Sequence, residues 1–120
     1  MTDNKNQLRE DAIELAIQIS DLCDEIKGCS AYVNQIVRSS SSIGANIHEA
    51  NYAASKADFI NKFHIALKEC GKTEYWIEMF VGSNAISEQT AKELLQECGV
   101  IRHMLVKSIT TAKGNDQGQM

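Results

Sequence analysis

The chain of 120 residues contains no proline and only seven glycines, so almost nothing in it interrupts a helix. Inside a helix, proline costs about 3 kcal/mol and glycine about 1 kcal/mol relative to alanine. Along this backbone, apolar residues recur three or four positions apart, which is the spacing of one face of an α-helix. The sequence therefore predicts an all-α protein built from long amphipathic helices.

Four helical segments are predicted, and short polar stretches containing glycine or serine separate them. The segments are 7–26, 31–53, 56–81 and 88–112. Because short connections join helices that are antiparallel neighbours, we predict an up-down-up-down four-helix bundle. The bundle is expected to form one domain over residues 1–113, followed by a disordered polar tail at 114–120.

Charge and hydropathy argue against two classes of protein, nonspecific nucleic-acid binders and membrane-spanning proteins. The chain has 12 Lys and Arg against 16 Asp and Glu, a net charge of -4, which argues against nonspecific nucleic-acid binding but leaves a local basic patch open. No run of about 18 apolar residues is present, so no membrane contact is predicted, and a cytoplasmic location is expected. The four cysteines form no Cys-x-x-Cys pair, and they are interpreted as reduced thiols.

Helical bundles can hold metal ions in their core, so the metal-binding residue types matter here. A di-iron site needs Glu-x-x-His on two helices, but none of the three histidines has a glutamate three residues before it. Zinc-ligand spacings, a phosphate-binding loop and a nucleophile paired with a base are also missing. We therefore predict no metal site, no cofactor and no enzymatic activity.

The second predicted helix contains four consecutive serines, residues 39–42. At 100° per residue, Ser40 falls on the apolar core face, where a small side chain permits close helix approach. The opposite face carries a ridge of short polar side chains between two charges, and either solvent or another subunit could cover it. The residues of this face are Arg38, Ser42, Asn46 and Glu49, flanked by Ser39 and Ala45.

The two charged ends of this face, Arg38 and Glu49, lie eleven residues apart. This corresponds to about 16 Å along the helix axis, too far for an ion pair within one helix. Each is therefore expected to need a partner on another helix or another subunit.

The third predicted helix is apolar on two sides. Its second apolar side carries Ile65, Trp76, Met79 and Phe80. Aromatic residues and methionine are enriched at subunit interfaces, so this side predicts either a subunit contact around Trp76 or partial cover by neighbouring helices. On the core side, Glu74 is expected to be mostly buried and bonded to a neighbouring helix, because a carboxylate within a core face must be paired.

Helices two and three also carry a resemblance to a known family. The motifs are Arg-Ser…Ser-Ile-Gly-x-Asn-Ile-x-Glu at 38–49, Ser-x-x-Asp-Phe at 55–59, and Ala…Thr-Glu-Tyr-Trp at 66–76. In these the chain resembles the four-helix bundle proteins named for open reading frames in intervening sequences of large-subunit ribosomal RNA genes, also called S23-like. It departs from many of them at Ala50-Asn51, where a glycine is common.

The resemblance implies a bacterial four-helix bundle that assembles into a ring-like homo-oligomer, and a pentamer is the expected assembly. It extends to the accessory proteins of diversity-generating retroelements, which partner a reverse transcriptase and nucleic acid. Those relatives are markedly basic, whereas this chain is acidic. The expectation is therefore a non-enzymatic oligomeric scaffold or adaptor, with an RNA- or DNA-associated accessory protein as the alternative.

Overall fold

The computed structural model of the protein describes the backbone of residues 2–118 and the side chains of residues 7–114. Over this range the chain forms four α-helices and no strand, which confirms the all-α prediction. The helices are α1 Thr2–Asp24, α2 Ser30–Ala50, α3 Lys56–Gly82 and α4 Glu88–Gly118. Within the described range, none of these helices is both long enough and apolar enough to cross a membrane.

Each helix packs against the next along the chain, and α4 packs against α1 to close a four-helix bundle. Three contacts show how α2 and α3 run past each other. They join Tyr32 to Trp76, Ser39 to Thr73, and Glu49 to Lys62. Partners descend along α3 as they ascend along α2, so the two helices are antiparallel. The resulting bundle measures 54 × 24 × 21 Å.

The core is a single apolar cluster to which all four helices contribute. Its fully buried large side chains come at helical spacing, as the periodicity predicts. They include Leu8, Leu15 and Ile19 from α1, Ile36 and Ile43 from α2, Ile77 and Phe80 from α3, and Ile101 and Leu105 from α4. The burial of these apolar stripes contributes more to the stability of the helices than the helix propensity of their residues does.

Capping side chains and backbone conformation explain where two of the helices begin and end. Ser55 caps α3, because its hydroxyl accepts a hydrogen bond from the backbone N–H of Asp58 at 3.1 Å, and the Asp58 carboxylate accepts one from the N–H of Ala54 at 3.1 Å. Between α1 and α2, Gly28 and Cys29 have φ of 79° and 54°. This left-handed backbone turns the chain between the two helices; α1 itself ends at Asp24, two residues earlier than predicted, in a tighter turn whose N–H groups bond three residues back.

The last helix extends beyond its predicted end near residue 112 and runs to Gly118. Gly114 does not stop it, because a single glycine weakens a helix without breaking it and no proline follows. Of the predicted tail 114–120, residues 119–120 lie outside the described residues, and the disorder of the tail stays a prediction.

Candidate functional site

Ser39, the first of the four consecutive serines of α2, lies against α3, and the contact between these helices is here called the α2–α3 seam. The Ser39 hydroxyl lies 2.9 Å from the Thr73 hydroxyl, and Thr73 donates to the carbonyl of Glu69 at 2.9 Å. Ser39, Ser40 and Thr73 are 2%, 1% and 0% exposed. Small hydroxyl side chains let two helix backbones approach while their polar atoms stay bonded. Ser40 lies in the core as predicted, whereas Ser39, predicted on the opposite face, is buried.

The predicted polar face of α2 is partly covered by its own chain. Asn46 is 9% exposed, and its side-chain N–H group donates to the backbone carbonyl of Ser42 at 2.9 Å and to the Ser42 hydroxyl at 3.1 Å. Because α2 packs against both α1 and α3, its buried arc is wider than one apolar stripe. Asn46 therefore belongs to the packed side of α2, and this corrects its assignment to the opposite face.

The charged ends of this face differ from each other. Glu49 finds its partner within the chain, since its carboxylate lies 3.2 Å from the ammonium group of Lys62 on α3. Arg38 is exposed and has no ion pair among the side chains that the structure describes. Of the two charges expected to need a partner elsewhere, Arg38 is the one without an ion pair among the described side chains.

An aromatic surface lies where α2 and α3 meet, and it consists of Tyr32, Tyr75, Trp76 and Met79. The Trp76 ring stacks on Tyr32 with centroids 5.7 Å apart, and Tyr75 meets it edge-on at 5.0 Å. Tyr32 and Tyr75 are 37% and 55% exposed, while Trp76 and Met79 are half-buried. The second apolar side of α3 is thus covered in part by α2 and open in part.

Phe80 is not part of this surface, contrary to the prediction from the sequence. It is 1% exposed and lies in the core. The buried residues of α3 centre near Thr73 and Ile77, so the core face is rotated towards Phe80. The reason is that α2 and α4 flank α3 on two sides, and together they cover a wide arc.

A second apolar surface went unnoticed in the sequence and lies between α1 and α2. It is an open groove of about 290 Å³, here called the α1–α2 groove. On its rim, Ile13 and Ile17 are 42% and 55% exposed. A β-carbon added at Gly44 would lie 3.6 Å from that of Ala12, so the helices are close here. The lining residues are Ala12, Ile13, Ala16, Ile17, Ser20, Val37, Ser41, Gly44 and Ala45.

A signal for this groove was present in the sequence. Ile13 and Ile17 stand four residues apart, outside the apolar stripe of α1, and small residues of α2 lie opposite them. An i, i+4 apolar pair on the outer face of a helix marks a second surface.

The predicted core carboxylate, Glu74, lies at the edge of the bundle. Its carboxylate is 3.5 Å from the guanidinium of Arg102 on α4, and the side chain is 22% exposed. The expected bond to a neighbouring helix is therefore present, but burial is incomplete. The long Arg102 side chain passes Gly99 on its way to Glu74, at a distance that a β-carbon at Gly99 would also allow.

The contact between α1 and α4, here called the α1–α4 seam, is acidic. Gln18 donates to the carboxylate of Glu97 at 3.1 Å. Burial raises the pKa of Glu97, and the nearby charges of Glu14, Asp11 and Glu93 raise this pKa further, against the lowering effect of the hydrogen bond from Gln18.

The geometry gives no clustered donor set for a metal ion within the part of the chain that the structure describes. There, no three His, Cys, Asp or Glu side chains gather closely enough to hold one. What the described surface does offer is two unlike apolar regions, the aromatic surface and the α1–α2 groove.

Two kinds of comparison with known proteins agree. The sequence model of the family described as "23S rRNA-intervening sequence protein" matches residues 4–107. A crystal structure at 1.70 Å resolution, of a protein with unknown function from the S23 ribosomal protein family of Bacteroides thetaiotaomicron VPI-5482, is similar in fold with a TM-score of 0.84. The two sequences are 35% identical over 89% of this chain and 98% of that chain. No curated protein matches.

Proposed function

This chain belongs to the 23S rRNA-intervening sequence protein family, and from that premise we propose that it is a non-enzymatic scaffold that assembles with copies of itself into a closed ring. The observation that carries the proposal is the presence of two unlike apolar surfaces on one small bundle. Single exposed apolar residues are common on soluble proteins, but grouped ones mark interaction sites.

The two surfaces differ in shape and chemistry, which favours a ring over a dimer. The α1–α2 groove is concave and lined by small side chains, whereas the aromatic surface presents the rings of Tyr32 and Tyr75. A self-complementary patch gives a two-fold dimer, while two different patches meeting head to tail give a ring when the rotation closes. Five subunits are the number that the family resemblance implies.

The charges around the surfaces are consistent with contacts between copies. Arg38 is exposed on α2 without an ion pair among the described side chains, and the chain as a whole is acidic, with net charge -4. An acidic neighbouring copy supplies carboxylates for that guanidinium. A cytoplasmic location in a bacterium is part of the proposal, because thiols are kept reduced there and all four cysteines are free.

Light scattering at micromolar concentration tests the assembly. We expect the wild-type chain to have about five times the mass of one chain, which is 13.3 kDa. A mass near one chain would remove the proposal, and a clean dimer would remove the ring.

Substitutions on the two surfaces then test which residues make the contacts. Ile17→Asp in the groove and Tyr75→Asp on the aromatic surface should each give folded single chains, since both residues are more than half exposed. Val106→Asp is the matched control, because Val106 is 45% exposed on α4 and lies outside both surfaces. If all three variants behave alike, the surfaces are wrongly assigned.

Trp76→Ala should also weaken the ring, because aromatic residues at the centre of an interface contribute roughly 2 kcal/mol or more. Trp76 also packs on the core of its own chain, so circular dichroism must show that the variant keeps its helices.

The alternative, an RNA- or DNA-associated accessory protein, is separated from the scaffold by a mobility-shift assay across salt concentrations. Binding to phosphates weakens steeply as salt rises. Salt-dependent binding in the micromolar range would favour the accessory role, whereas retention of the ring without any shift supports the scaffold.

A further inference from the structure

The tripeptide Glu-Cys-Gly occurs twice in the chain, at 69–71 on α3 and at 97–99 on α4. Because α3 and α4 are neighbours in the bundle, the two cysteines come together. The thiol of Cys70 lies 3.4 Å from the backbone carbonyl oxygen of Cys98, to which it donates a hydrogen bond. Both side chains are 0% exposed, so the pair occupies the interior of the α3–α4 contact.

We propose that Cys70 and Cys98 form a dithiol that closes to a disulfide between α3 and α4 when the protein meets a peroxide. A disulfide requires two cysteines whose side chains already face each other at close range. The Cys70 sulfur already contacts the backbone of Cys98, and the two side chains interact with each other across the helix contact. The other two cysteines lie elsewhere in the fold, Cys23 on α1 and Cys29 in the connection between α1 and α2.

The electrostatics of the pair assign a different role to each sulfur. A second hydrogen bond, from the Cys98 thiol to the Cys70 sulfur, lowers the pKa of Cys70 against the opposing effect of burial, and the same bond, together with burial, raises the pKa of Cys98. Cys70 is therefore the thiolate that reacts first, because the thiolate is the nucleophile. Cys98 resolves the intermediate.

The reaction balances in two steps. The Cys70 thiolate attacks one peroxide oxygen, the O–O bond breaks, and a sulfenic acid forms while the other oxygen leaves as water. Cys98 then attacks the Cys70 sulfur, the S–S bond forms, and the S–O bond breaks with release of a second water. The dithiol loses two electrons and two protons, and hydrogen peroxide takes up both.

Access to the buried sulfurs is explained by the glycines that follow them. A β-carbon added at Gly71 would meet nothing within 4 Å, and one at Gly99 would meet only the end of the Arg102 side chain at 3.5 Å. Packing therefore requires neither glycine. Glycine weakens the interior of a helix relative to alanine, so both helices are weakened beside the cysteines. Local opening there admits a small peroxide.

Peptide mapping of the full chain tests the proposal. The folded protein is treated with hydrogen peroxide, quenched in acid, alkylated in denaturant and digested with trypsin without reduction. Trypsin releases Cys70 within residues 69–72 and Cys98 within residues 93–102. We expect these two peptides to be joined within one chain, about 2 Da lighter than their reduced sum. The proposal is overturned if both cysteines remain alkylated after the exposed Cys29 has been oxidised, or if another pair is joined.

Variants separate the chemistry from its consequences. In Cys98→Ala, the Cys70 sulfenic acid should persist and react with dimedone, whereas Cys23→Ala should close the disulfide as the wild type does. The oxidised wild-type chain should melt about 10 °C higher, and dithiothreitol should reverse the gain. An unchanged melting temperature or an unreactive Cys70 counts against the proposal.

The double variant Gly71→Ala, Gly99→Ala tests the route of access. Strengthening both helices should slow disulfide closure about tenfold. An unchanged rate would overturn the assigned route. None of these outcomes depends on whether the chain forms a ring, because both cysteines lie inside one chain.

Discussion

The α2–α3 seam and the α1–α4 seam use opposite means to join two helices. At the α2–α3 seam, small hydroxyl side chains let the helices meet closely, and the Ser39–Thr73 hydrogen bond lies fully inside the bundle. At the α1–α4 seam, Glu97 lies within reach of other carboxylates, and Gln18 makes the cross-helix hydrogen bond. Helix contact is most extensive at the first seam and least extensive at the second.

The two seams are therefore expected to differ in how well they tolerate substitutions. Close packing of small residues tolerates neither added volume nor a lost partner, because protein interiors are packed as densely as crystals. A seam with like charges tolerates substitution, since its side chains already keep contact with solvent. We expect the α2–α3 seam to be the sensitive one in every measurement of unfolding.

The largest effect is expected from added volume at the α2–α3 seam. Ser39→Leu should lower the free energy of unfolding by about 2–3 kcal/mol, because a larger side chain cannot fit a closely packed site. Gln18→Leu is the matched change at the α1–α4 seam, and it should stay within about 0.5 kcal/mol. Urea denaturation measures both, and equal losses would break the comparison.

A smaller effect is expected from removing the buried hydroxyl pair. Thr73→Val keeps the shape but leaves Ser39 and the Glu69 carbonyl without this partner, and it should cost about 1–2 kcal/mol. A double-mutant cycle with Ser39→Ala isolates the bond. We expect a coupling energy of about 1 kcal/mol, and strictly additive losses would show that the two hydroxyls act independently.

The smallest effect is expected at the α1–α4 seam, and it depends on pH. The Glu97 pKa is raised above its ordinary value of 4.5, so the folded protein binds this proton more tightly than the unfolded chain does. The stability contributed by the protonated form is present below pH 4.5 and is lost as the pH rises through the raised pKa.

Glu97→Gln should therefore raise the free energy of unfolding at pH 7, by less than about 1 kcal/mol, and the variant should melt at a higher temperature than the wild type. The difference should vanish near pH 4. Glu10→Gln, at an exposed position of α1, controls for the change in net charge. A gain that is the same at both pH values would contradict the assigned cause.

The sequence predicts the helices well because the signals for them are local. Periodicity locates each core stripe, and the Ser55–Asp58 pair marks the start of α3 to the residue. Positions beside a stripe are harder, because whether a neighbouring helix covers them depends on the tertiary arrangement. Ser39 and Phe80 were placed outside for this reason, and both are buried.

The surfaces were predicted only in part, for a related reason. The pairing of Glu49 with Lys62 depends on the register between α2 and α3, which periodicity does not contain. The α1–α2 groove arises where residues of two helices face each other, so neither helix shows it alone. Arg38, Trp76 and Met79 are placed where another molecule can reach them at least in part.

The stacking of Trp76 on Tyr32 has an optical consequence. Trp76 is the sole tryptophan of the chain, and tyrosine excited at this distance transfers its energy to the indole. Tyr75 lies beside Trp76 on the same helix and transfers energy in any state, so the part of the emission that comes from Tyr32, isolated by comparison with Tyr32→Phe, reports the docking of α2 on α3. Far-ultraviolet circular dichroism reports all four helices. If the two signals change together during unfolding, the bundle unfolds in one cooperative step. If the ellipticity falls before the emission changes, helices elsewhere in the bundle unfold while α2 and α3 are still docked.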